Sequence, residues 1–314
     1  MTRTKRLQNK VTSSKATLPV VAVYAIVIAA LLFVRGERIV AQFAILAVSA
    51  FCMLQINRTY SLIRVYSRMV SCPYIMLFVM CDMLLLPVEC GVVQLCFILF
   101  YLLLFGCYQN HKAAANVFYA FLMLGIASLF FVQTFYFLPV AIILMYGNAL
   151  AGNVKTFFAA LIGIATPYWF AAGYLAYTDD LQLLADHFKL LTTFGDILAF
   201  EALSPNEIAT VSLVGLLSVI GIAHLRTKSY LDKIRTRLFY GVFTTMWLCT
   251  ALFLALQPQH YDFLIGLLVI SAAPLIGHFV ALTGTRLTNT LFIILTLSVL
   301  ALTALNLWKI SLSF

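Results

Sequence analysis

The chain is short of charge. Of its 314 residues only 10% are Asp, Glu, Lys or Arg, where a soluble domain carries about 25%. Acids are scarcest, 11 against 20 basic residues, and no segment is long and polar enough to form a soluble domain. The seven cysteines lie in or beside apolar runs with no C-x-x-C pair, so neither a disulfide framework nor a metal site is expected. Also missing are a Walker loop, a dinucleotide-binding G-x-G-x-x-G, H-E-x-x-H and G-x-S-x-G, and with them the chemistries those motifs carry. No cofactor is expected. There is no strand-like alternation of the outer-membrane barrel type, and no matched pair of Gly/Pro-broken segments of the inverted-repeat transporter type.

What the chain has is hydrocarbon. Apolar residues make up 63% and the mean hydropathy is +1.02. Runs long enough to cross about 30 Å of lipid recur throughout. They divide into eleven expected spans at 17–34, 39–56, 73–88, 91–107, 116–132, 134–147, 157–177, 207–225, 238–256, 262–282 and 287–308. The expected fold is all-α: one polytopic helical bundle, residues 1–314, with a basic N-terminal segment at 1–16. The first run follows Arg3, Lys5, Arg6, Lys10 and Lys15 but lacks a small-x-small cleavage pattern before "RGER". It reads as an uncleaved span.

Charge orients the spans. With the N-terminus inside, sixteen of the 20 basic residues fall in inner segments, leaving Arg35, Arg38, Lys189 and Lys309 outside. Nine of the 11 acids fall outside. The positive-inside rule favours this arrangement, and treating 116–147 as one crossing would move "RTKSYLDKIRTR" to the wrong side. Basicity is thereby accounted for by topology, and nucleic acid is not an expected partner.

Two acids then stand out. Glu89 falls in an expected outer turn between Pro87 and Gly91, where it reads either as a solvated turn residue or as a functional acid. Asp82 lies within the membrane, seven residues earlier. On one helix the two would share a face and make a polar track opening outward.

Two loops are patterned. In the inner stretch "NRTYSLIRVYSRMVSCPY", Arg58, Arg64 and Arg68 alternate with aromatic and aliphatic residues. It reads as an interfacial helix among lipid phosphates or as a specific phosphate site, since arginine forks match phosphate geometry. The outer loop at 178–206 carries Leu181, Leu184, Phe188 and Leu191 at helical spacing. It reads as an amphipathic helix on the surface or as a lid.

The stretch "VFYAFLMLGIASLFFVQTFYFLPVAIILMYG", with the basic loop and "SPNEIATVSLVGLLSVIG", resembles an uncharacterised multi-span inner-membrane family of Bacteroidota. More distantly, residues about 40–175 are similar in layout to GT-C-type membrane glycosyltransferases, which take sugar from a polyprenyl-phosphate donor. Arg58, Arg64 and Arg68 match the basic inner loop of those enzymes, and Glu89 matches the acid heading their fourth span. The chain departs from them between spans one and two, where "RGER" replaces a large loop. The resemblance implies Glu37 and Glu89 as catalytic acids, with Arg35 or Arg38 binding the donor phosphate; Asp82, as an intramembrane acid, is a further candidate for binding substrate. It also implies a bacterial inner-membrane location, with membrane lipids, a polyprenyl-phosphate-linked sugar and other envelope proteins as partners. A non-catalytic subunit of envelope assembly and a transporter or flippase remain the alternative readings.

Overall fold

The computed structural model describes residues 6–308; Arg3, Lys5 and Lys309, counted in the charge split, lie outside them. The described chain is helical, with no strand among these residues. In order the helices are α1 (Leu7–Ser13), α2 (Thr17–Val34), α3 (Val40–Tyr60), α4 (Ser71–Met80), α5 (Val88–Phe105), α6 (Ala114–Phe130), α7 (Leu138–Gly147, preceded by a 3₁₀ stretch, Val132–Phe137), α8 (Val154–Tyr177), α9 (Leu181–Lys189), α10 (Pro205–Lys228), α11 (Ile234–Leu256), α12 (Tyr261–Leu282) and α13 (Arg286–Leu307). Eight helical segments are long and apolar enough to cross a membrane, and three shorter apolar ones lie at Ser71–Met80, Ala114–Phe130 and Val132–Gly147. Each of the eleven expected spans has a helical counterpart among these.

α12 is the axis. In its segment 94% of the most apolar stretch is buried, against 17% for the peripheral α2, and α4, α5, α10 and α11 all pack on it. Phe105 of α5 stacks on Phe239 of α11, with ring centroids 4.2 Å apart. α6 and α8 approach closely because glycines face backbone. A Cβ at Gly125 would come 2.8 Å from the Ile164 carbonyl, the small-residue contact by which membrane helices pack.

The bundle has two ends. At one, Gln109 N–H donates to the Ala149 carbonyl at 2.9 Å and Asn148 Nδ2 donates to Leu238 O at 2.8 Å. The chain that leaves this end in α6 therefore returns to it through α7. Arg6 donates to the Gly284 carbonyl at the same end, so the loops carrying most of the basic residues are gathered there. At the opposite end, Gln42 Nε2 donates to Leu86 O and Pro87 O at 2.9 and 2.6 Å, and Arg35 donates to Leu307 O.

Several sequence expectations are corrected. α4 ends at Met80, and Asp82 sits beyond it in left-handed backbone with φ 50°, a conformation aspartate tolerates. Asp82 and Glu89 therefore lie on different elements and share no helical face. Gly91 does not break a helix; it lies inside α5, where a Cβ would strike Gln42. The stretch 61–70 is not an interfacial helix. Ser61 stops α3 with φ 51°, and Leu62, Ile63, Met69 and Val70 turn inward to be buried. Burying these apolar side chains folds the loop back into the bundle. The basic N-terminal segment, in contrast, does form a helix in part: α1 docks through Gln8, which is fully buried and donates to Val280 O at 2.8 Å and Thr283 Oγ1 at 2.6 Å.

Candidate functional site

The most developed polar site lies at the basic end, where the 61–70 loop meets the α10–α11 loop and the end of α12. Asn57 shapes it. Its Nδ2 donates to Ser67 O at 2.8 Å, and its Oδ1 accepts from Ile63 N–H at 3.2 Å. One buried amide thus fixes both ends of the arginine-bearing turn. α12 passes so close that a Cβ on Gly277 would overlap the Met69 carbonyl, so only glycine lets helix and loop meet there.

Beneath the turn runs a chain of side chains. His278, fully buried on α12, lies with Nε2 2.9 Å from Asp232 Oδ2, and Arg64 NH1 is 3.5 Å from Asp232 Oδ1. On its other side His278 Nδ1 faces His224 Nδ1 at 3.3 Å. An ionised carboxylate only accepts hydrogen bonds, so His278 donates through Nε2 and, when neutral, accepts from His224 through Nδ1. Asp232 is 8% exposed; His278 lies within hydrogen-bond distance of its Oδ2 and Arg64 forms an ion pair with its Oδ1, which accepts no hydrogen bond.

Above this chain is a pocket of about 510 Å³ lined by Arg58, Arg64, Arg68, Lys233 and Asp232, among others. Four basic side chains face a single carboxylate that His278 and Arg64 already engage. The Nε of Arg68 is buried without a hydrogen-bond partner, while its NH1 donates to Lys15 O at 3.0 Å. Guanidinium forks of this kind bind phosphate and carboxylate in bidentate fashion. The lining of the pocket is net basic.

The three arginines singled out in the sequence are thus brought together. The other site residues are not. Glu37 is half-buried, Glu89 is exposed in the first turn of α5, and Arg35 and Arg38 are exposed. All four lie toward the end opposite the basic pocket, and none lines the cavities described here. Asp82 lines a separate cavity of about 270 Å³ with Glu207, Thr210, Tyr261 and Asn306. The amphipathic helix is present as α9, but its contacts run to α6, α8 and the stretch leading into α7. His187 Nε2 is 2.9 Å from Ser128 O, Phe188 packs on Tyr168 and Phe135, and Tyr136 donates to Leu191 O.

No family model, curated protein or solved structure matches this chain. Nothing in the sequence pattern singles out His224, His278 or Asp232 as a group. A histidine inside an apolar run was the available signal, since intramembrane ionisable groups are costly unless partnered. Its partner lies 46 residues away, in a loop whose other charges are basic.

Proposed function

We propose that the protein is a polytopic inner-membrane protein of eleven crossings, with its N-terminus in the cytoplasm, that binds a phosphate-bearing anion at its basic end. The observation that carries this reading is the pocket of Arg58, Arg64, Arg68 and Lys233 with an unpartnered buried Arg68 Nε. Under the positive-inside orientation the pocket faces the cytoplasm, where basic pockets between membrane helices receive lipid phosphates.

Binding is favoured over catalysis. Sugar transfer of the GT-C kind needs a carboxylate free to take a proton from the acceptor. The one acid lining the basic pocket, Asp232, is engaged by His278 and Arg64. Glu37 and Glu89, the acids the glycosyltransferase resemblance implies, line neither this pocket nor the other cavities described.

The test is a thermal-shift titration of the detergent-purified full chain with inorganic pyrophosphate. A ligand that binds only the folded state raises the melting temperature as its concentration passes Kd. The wild-type protein is expected to give a saturable rise. Arg64→Gln and Arg68→Gln should each weaken binding about tenfold, since a charged hydrogen bond contributes about 1.5–3 kcal/mol. No saturable shift, or an unchanged one in the double variant, would overturn the reading.

A further inference from the structure

Beside the basic pocket lies a larger, laterally open cavity of about 720 Å³, lined mainly by α1, α2, α4, α12 and α13. The two adjoin through consecutive residues, Arg68 lining the first and Met69 the second. Arg68 also donates to the carbonyl of Lys15, whose neighbours Ser14 and Ala16 line the second cavity. One guanidinium thus stands at the boundary between a basic chamber and an apolar one.

From these cavities we infer that the phosphate-bearing ligand is a membrane lipid, with its phosphate against Arg64 and Arg68 and its hydrocarbon chain in the cavity under α1. The inference rests on the anion site proposed above. The apolar chamber has little to offer a polar occupant. Thr17 already donates to Val11 O, Thr296 Oγ1 to Phe292 O at 2.7 Å, and Tyr24 Oη to Thr303 Oγ1 at 2.8 Å. Among the described residues the only charge lining it is Lys10, on α1 at the basic end. Charge at one end and bare hydrocarbon beyond describe an anionic amphiphile.

Depth agrees with this occupant. From Ala16, just before α2, to Tyr24 within it, the lining runs about 12 Å at roughly 1.5 Å per residue. That falls within one leaflet, half of the roughly 30 Å hydrocarbon core. The Tyr24–Thr303 hydrogen bond ties α2 to α13 at the bottom, and α1, held by Gln8, covers the top. Val20, on the lining, is 65% exposed, so a lipid enters sideways past α2 without unfolding the bundle.

The experiment compares dioleoyl phosphatidic acid with glycerol 3-phosphate, the same phosphate without chains, on the delipidated full chain in detergent. Each buried methylene contributes about 0.8 kcal/mol, or about fourfold in affinity, so the wild-type protein should prefer the long-chain ligand by at least about a hundredfold. Filling the cavity with Val20→Phe and Thr296→Phe together should reduce that preference to within about tenfold. Affinity for glycerol 3-phosphate should stay unchanged, which also shows that the variant is folded. Undiminished preference for phosphatidic acid in the filled variant would overturn the lipid inference and leave the anion site standing. Failure of both ligands to bind the wild-type protein would overturn the anion site itself.

Discussion

His278 and Asp232 meet at 2.9 Å beneath the arginine-bearing turn, one on the most buried helix and the other in a loop between α10 and α11. The pair links the bundle axis to Arg64. The carboxylate that holds the guanidinium is itself held by an imidazole fully enclosed by protein. In the proposed anion site His278 and Asp232 would be positioning residues, acting on the ligand through Arg64.

Replacing His278 with Leu leaves a buried carboxylate with one partly exposed partner. The expected loss is about 1–3 kcal/mol of stability, the penalty for orphaning a buried polar group. Asp232→Asn in the same protein should recover part of that loss, because the remaining group is then neutral. A double-mutant cycle from unfolding in detergent measures the coupling. Additive losses would mean that the pair does not interact. A merely structural role would leave the pyrophosphate affinity of folded His278→Gln unchanged, whereas a positioning role lowers it.

Gly277→Ala tests the fit of loop to helix. Its Cβ would overlap the Met69 carbonyl, whereas a Cβ at Gly173 on α8 meets nothing within 4 Å. Alanine at 173 should be neutral or stabilising by up to about 1 kcal/mol, the helix-propensity gain. Alanine at 277 should destabilise the protein and weaken pyrophosphate binding together, because Met69 adjoins Arg68. Equal melting temperatures for the two variants would show that the 61–70 turn yields without cost.

Orientation is tested by adding a membrane-impermeant maleimide to intact cells. Ser13 and Thr193 are exposed and lie at opposite ends of the bundle, while six of the seven native cysteines are buried. Thr193→Cys is expected to label from outside and Ser13→Cys only after the membrane is opened. The reverse pattern would place the basic pocket on the outer face.

The helices were legible because lipid and helix packing make the same demand of a sequence: about twenty apolar residues without a break. The 17–34 run and α2 share their limits. Pairs of charges across the fold were less legible. The spacing of Asp82 and Glu89 assumed a continuous helix, yet the chain leaves helical backbone after Met80. In apolar sequence nothing but the turn residues marks that exit, and the next proline, Pro87, comes seven residues later. Arg58, Arg64 and Arg68 were legible as a basic cluster from their type and spacing, and they line one pocket. The chain of His224, His278 and Asp232 beneath them was not, because each member sits on a different element and only the packing of α10 against α12 brings them into line.

Photo-crosslinking shows whether one phosphate-lipid occupies both chambers. The full chain would be reconstituted with phosphatidic acid carrying a diazirine in its acyl chain, then irradiated and mapped by peptide. Trp169 and Phe170 on α8 are 80% and 72% exposed and so report ordinary surrounding lipid. A lipid bound in both chambers gives crosslinks concentrated between Ala16 and Tyr24 and, on α13, between Phe292 and Leu300, suppressed by Arg64→Gln with Arg68→Gln. Crosslinks spread over α8 as densely as over those segments, and indifferent to the arginine variants, would contradict it.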